Sequence, residues 1–176
     1  MSTPKASLAL LVALALGAGA AFAQTPRLGK PLAERDIAAW DISVHPDGTN
    51  LPAGSGTPAQ GAKIYAEKCV ACHGENGKGQ PYAALVGGAP LTSGIETTKT
   101  IANFWGYSTI VFDFIRRAMP YQAPRTLTND EVYALTAYLL ALNKLIGEND
   151  VMDAKTLPRV QMPNRDGFII RFPDKI

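Results

Sequence analysis

This 176-residue chain predicts a small all-α domain with an extended arm on each side. Three observations carry that prediction. Two capping boxes, Thr57 with Gln60 and Thr128 with Glu131, each stand directly before a helix-like run. Between them, Ile110, Val111, Phe114, Ile115 and Ala118 recur at helical spacing until Pro120 stops the pattern. Gly and Pro concentrate outside these three segments, with no βαβ pattern and no internal repeat.

The chain opens with Lys5 and the apolar run "LALLVALALGAGAAF", which ends in "AFA" before Gln24. Small residues at both positions that a signal peptidase reads predict a secretory leader over residues 1–23 and a periplasmic protein. A transmembrane anchor is the alternative, but the run is short for one and rich in Ala and Gly. Cleavage after Ala23 leaves 153 residues (176 − 23), enough for one domain with its own core, and no later segment is apolar enough to span a membrane. Losing Lys5 takes the net charge from +2 to about +1, and Lys and Arg form no blocks, which excludes a nucleic-acid partner.

Residues 24–56 read as an extended arm, because "SVHPDGTNLPAGSGTP" alternates turn formers without a helical period. Thr57 then caps a helix with Pro58 at its first position, running to about Cys72 and ending at Gly74, Gly77 and Gly79. Gly61 shares a face with Tyr65 and would let the last helix approach closely. "PYAALVGGAPLTSG" reads as irregular chain, and the middle helix spans 108–118. The strongest helix follows Thr128, with Val132, Leu135, Tyr138, Leu139 and Leu142 as its buried stripe, and Gly147 ends it. Residues 57–147 are therefore the domain, and 148–176 are a second arm. The arms carry Trp40, Ile42, Val44 and Leu51, and then Val151, Leu157, Val160, Phe168, Ile169, Ile170 and Phe172, which need a surface to cover them. That surface is either this domain's own helices or a partner subunit. We expect the dense end "GFIIRF" to lie across the partner.

The chemistry concentrates in "EKCVACHGENGKG", which holds both cysteines of the chain, Cys69 and Cys72, directly before His73. A disulfide here would close a very small loop with little entropic gain. A redox dithiol of thioredoxin type wants a strand–helix setting that is missing. Zinc needs four ligands, and only His45 would be left to complete the set. Covalent haem c fits best: two thiols on one helical turn each form a thioether to a vinyl group, and the next residue, His73, binds the iron. The occupant of the second axial position then decides between electron transfer and ligand chemistry. Met119 stands 46 residues after His73, at the end of the middle helix and before Pro120, and is the expected ligand. Met152 and Met162 read as core filling. His45 is the rival, in a loop rich in Pro and Gly. Trp105, Tyr107, Arg116 and Arg117 precede Met119 and offer donors for the haem propionates, Arg117 foremost; a solvated helix end is the alternative for the arginines. Lys68, Lys78, Lys99 and Arg125 are either a rim of the haem edge or plain solvated surface.

With these residues placed, "GAKIYAEKCVACHGENGKG", the Met119–Pro120 pair and "LTNDEVYALTAYLLAL" resemble the class I cytochromes c. The resemblance implies that family's fold, three main helices around one covalent haem with His73 and Met119 as axial ligands. "IAAWDISVHPDGTNLPAGSGT", "FWGYSTIVFDFIRRAMPY" and "TLPRVQMPNRDGF" extend it to the haem subunits of SoxCD-type sulfane dehydrogenases and sulfite dehydrogenases. It implies an electron-transfer subunit that does no bond chemistry itself. Its partner would be a molybdopterin-containing subunit of the sulfite-oxidase family, and a further cytochrome c or an oxidase would take the electrons. A free periplasmic carrier to an oxidase, or a haem enzyme with an open sixth position, are the alternatives. Some of these relatives carry two haems, whereas one Cys-x-x-Cys-His implies one here. Many class I members also have Tyr-Pro-x-Leu after the haem motif; this chain reads "YAALVGG", with Ala83 where proline is usual, so the carbonyl that accepts the proximal histidine's N–H is open.

Overall fold

The computed structural model describes residues 29–38, 40–91 and 97–169. The predicted leader and the end of the C-terminal arm, Ile170 and Phe172 included, lie outside them. Two units emerge, divided after Asp41. The first holds a short helix, α1 (Glu34–Ala38), where an extended arm was expected. Glu34 and Asp36 stand in its first turn, where carboxylates favour a helix start, and one and a half turns are too few to show an apolar period.

The second unit contains β1 (Ser55–Gly56), α2 (Pro58–Lys68), α3 (Val70–His73), α4 (Ser108–Ala118), α5 (Asn129–Leu142) and β2 (Met152–Asp153). Both predicted capping boxes form. The Thr57 hydroxyl accepts from the Gln60 N–H at 3.3 Å, and Gln60 Oε1 accepts from the Thr57 N–H at 2.9 Å. Thr128 and Glu131 repeat the exchange at 3.2 and 2.8 Å. Cys69, with φ −127° and ψ −33°, breaks the predicted first helix into α2 and α3.

Helix α5 is central. Its expected stripe widens to nearly the whole circumference: Val132 to Ala137, Leu139 and Leu140 are all buried. A stripe presumes one solvated face, and here other elements cover it. Helix α2 crosses at Gly61, where a Cβ would stand 1.9 Å from the Ala134 carbonyl oxygen. The N-terminal arm closes another side, as Tyr133 donates to the Pro52 carbonyl at 2.9 Å and Asn129 to the Ala53 carbonyl at 3.1 Å. Helix α4 also differs from its expected face: Val111, Phe112 and Ile115 are buried, while Phe114 is 46% exposed. Asp113 is drawn inward and takes the buried face toward Phe112.

Both arms return to this domain. Strands β1 and β2 pair antiparallel, Ser55 with Asp153 and Gly56 with Met152. Ser108 donates to the Leu157 carbonyl at 2.6 Å, and Asn164 to that of Phe104 at 2.7 Å. The Phe168 ring packs edge-on against Phe104 at 5.7 Å. The described part of the C-terminal arm thus packs on its own domain as far as Phe168, while Ile169 is exposed and the rest of "GFIIRF", expected to lie across a partner, is outside the described residues. Met152 and Met162 are buried within the core. No described helix is long and apolar enough to cross a membrane.

Candidate functional site

The wall of the site that carries the cysteines folds on itself. Gly74, at φ +69°, turns the chain out of α3, and a Cβ there would meet the Gly79 carbonyl. The Gly79 N–H donates to the His73 carbonyl at 2.8 Å, and the Tyr82 N–H to the Cys72 carbonyl at 3.1 Å. Tyr65 donates to the Gly74 carbonyl at 2.9 Å, and burial pushes its hydroxyl up to about 12, so it stays a donor at any ordinary pH. His73 Nδ1 stands 3.4 Å from the Ala83 carbonyl oxygen. A proton on Nδ1 satisfies that carbonyl and leaves Nε2 with its lone pair free. The carbonyl left open by the sequence is therefore that of Ala83, the alanine that stands where proline is usual.

Farther along the chain, α4 ends at Ala118, and Met119 follows in extended conformation with its N–H on the Ile115 carbonyl at 3.1 Å. Cys69, Cys72, His73 and Met119 all line one cavity of about 500 Å³. That lies within the usual range for cofactor pockets, about 300–1,000 Å³. Tyr65, Leu85, Ile115, Leu127, Leu135 and Leu139 make its walls overwhelmingly apolar. Its charged lining residue, Lys68, is neutralised by Glu131 at 2.6 Å.

This donor set tests the competing uses of the cysteines. Both are unbridged. Burial pushes the Cys69 thiol up to about 11; the neighbouring Cys72 adds to the rise and Lys68 opposes it. A neutral thiol is a poor redox nucleophile. Among the described residues no group of three or more His, Cys, Asp or Glu side chains is placed to hold a metal ion, so a zinc site has no geometry. An apolar cavity lined by two thiols, an imidazole and a thioether does fit a large flat metal macrocycle.

The chain is similar to known proteins over most of its length. The cytochrome c family model matches residues 58–143. The crystal structure of the sulfane dehydrogenase SoxCD from Paracoccus pantotrophus superposes with a TM-score of 0.75 at 36% identity, covering 85% of this chain and 73% of that one. The chain belongs to the cytochrome c family. As a cytochrome c it has that family's mainly helical fold, carries covalent haem c and transfers electrons. It is also 28% identical over 100 residues to the thiosulfate dehydrogenase of Psychrobacter arcticus, covering 53% of this chain and 28% of that one. A stretch of 23 residues is 74% identical to the FixP subunit of a cbb3-type cytochrome c oxidase from Bradyrhizobium, covering 13% of this chain and 8% of that one. This cytochrome c thus spans under a third of either curated relative.

Other residues singled out in the sequence stand elsewhere. Arg117 pairs with Asp113 at 2.6 Å. Trp105 packs against Phe104 and Phe114, and the Arg165 guanidinium lies 4.3 Å over the Tyr107 ring. None of these three lines the cavity, nor do Arg116, Lys78, Lys99 or Arg125. His45 is exposed and also outside it. Sequence reasoning missed Tyr82 and Tyr121, exposed residues that line the cavity, and the acid Asp113, whose place inside an apolar helix was the available signal.

Proposed function

We propose that residues 57–147 form a monohaem electron-transfer domain: Cys69 and Cys72 carry the two thioether bonds of a single haem c, and His73 and Met119 are its axial ligands. The observation that carries this reading is that these four side chains, from two separate segments of the chain, line one apolar cavity. Haem c supplies a one-electron iron couple. The chain's own residues tune it. The Ala83 carbonyl fixes the His73 tautomer and leaves Nε2 to bind. The Met119 thioether favours the reduced state and raises the potential. Ile115, Leu135 and Leu139 keep water away, which further disfavours the more charged oxidised form. With both axial positions filled from the chain, the arrangement suits a carrier better than a haem enzyme.

The electrons come from a molybdopterin-containing subunit of the sulfite-oxidase family that oxidises a sulfur compound, and they pass to another cytochrome c or an oxidase. Export after removal of residues 1–23 places this exchange in the periplasm. The similarity to SoxCD over 85% of the chain and to a thiosulfate dehydrogenase supports this partner class. A free carrier to an oxidase is the second reading, favoured by the FixP match, which is too short to outweigh the first.

Met119→Ala tests the ligation. The purified variant should keep its covalent haem, lose the methionine-to-iron charge-transfer band, and bind carbon monoxide when reduced. A parent protein that already binds carbon monoxide readily would overturn the closed site. For the partner, the molybdenum subunit should co-purify with the chain and reduce it on adding sulfite or a sulfane donor. Failure of both, with rapid electron delivery to an oxidase, would favour the free carrier.

A further inference from the structure

Residues 42–46 lie along one face of α4 and are joined to it by three hydrogen bonds. Thr109 Oγ1 donates to the Pro46 carbonyl at 3.1 Å, Asp113 Oδ1 accepts from the Val44 N–H at 3.0 Å, and Arg116 donates to the Ile42 carbonyl at 3.1 Å. The helix positions are four and three apart, which is one face; the partners Ile42, Val44 and Pro46 are two apart along the segment. The lengths agree: seven helical residues rise about 10.5 Å, and four extended residues span about 13 Å. Asp113 is the middle rung and uses both oxygens, since Oδ2 accepts from Arg117 at 2.6 Å. It is only 7% exposed. Helix α4 ends one residue beyond Arg117, and Met119 is next.

Apolar packing of Val111, Phe112 and Ile115 holds α4 on the core, but such contact is non-directional and tolerates sliding and rotation. Hydrogen bonds to named partners do not. From this we infer that Asp113 is a positioning residue for Met119: by locking α4 to residues 42–46 it sets the helix's height and rotation, and with them where the methionine sulfur stands in the cavity. This rests on Met119 being the axial ligand.

The test compares Asp113→Ala, Asp113→Asn and Met119→Ala as purified holoproteins, reading the charge-transfer band, carbon monoxide binding to the reduced form, and the thermal midpoint. D113A should keep its covalent haem, show a weakened band and bind carbon monoxide about tenfold faster, because a loosened helix populates the detached state more. D113N still offers Val44 an acceptor but loses the charge facing Arg117, and should fall between D113A and the parent. A D113A protein with the parent's band and carbon monoxide rate, and only a lower thermal midpoint, would show that the ladder merely stabilises. If D113A does not fold, D113N decides: parental band and rate overturn the inference, and intermediate values support it. An intact band in M119A would overturn the ligation itself, a result separate from any behaviour of the Asp113 variants.

Discussion

The wall of the cavity that carries His73 and the wall that carries Met119 are held by different kinds of contact. The first is local. Tyr82 bonds to Cys72, and Gly79 and Ala83 to His73, all within about a dozen residues of chain, and Tyr65 reaches in to Gly74 from the preceding helix. The second is remote. Helix α4 is tied to residues 42–46 and to Leu157, and α5 to Pro52 and Ala53, all across separations of 49 residues or more. A local wall needs only its own sequence to take shape. A remote wall needs the whole chain folded, so the arms do the work that extra helices would do in a larger domain.

Substitutions can break or sharpen this contrast. The largest effect should come from replacing Cys69 and Cys72 together by Ser. No haem would be attached, and a cavity of about 500 Å³ would lose the group the helices pack on. Circular dichroism should show reduced helix content and no cooperative melting; a haem-free protein that melts cooperatively would mean that the remote ties suffice alone. Gly61→Ala comes next. Its methyl group would collide with the Ala134 backbone where α2 crosses α5, at a cost of at least about 2 kcal/mol in denaturant unfolding. The effect should be global, with the haem absorbance of the folded fraction unchanged.

Tyr133→Phe removes one remote tie and leaves the Pro52 carbonyl without its donor, for a loss of about 1 kcal/mol measured the same way. The smallest change should be Glu131→Gln. Its bond from Lys68, and then those from Thr128, hold the Glu131 carboxyl below its usual range. A depressed folded value means stability that is present above the unfolded carboxyl value and is lost as pH falls through the folded one. Both partners are partly solvated, so the loss near neutrality should be only about 0.5–1 kcal/mol. Parent and variant should converge under acid, and a gap that persists there would assign the effect to packing instead.

The same contrast explains what could be read in the sequence. Thr57, Gln60, Thr128 and Glu131 announced their helices because a capping box is complete within four residues. Cys69, Cys72 and His73 stood out for the same reason, and Met119 by the proline that follows it, and the structure brings all four to one cavity. Asp113 was not, since its partner Val44 is 69 residues away. Nor was the burial of α5 all round, which depends on the arm at Pro52 and on α2 at Gly61. Short α1 escaped because so few turns show no apolar period, and the inward turn of Phe112 instead of Phe114 because the bonds of Asp113 to Val44 and Arg117 outweigh the apolar spacing. Arg117, read as a donor for the propionates, bonds Asp113 four residues before it, a pairing that the sequence reading did not weigh.

The two-residue ladder of Ser55–Gly56 on Met152–Asp153 has a consequence for architecture. It brings the segment before α2 beside the segment after α5. Residues 42–52 and Leu157, which hold α4 and α5, lie just beyond it on either side. The ladder therefore acts as a buckle: it joins the two straps at one place, and an insertion beside it would slacken the hold on both helices.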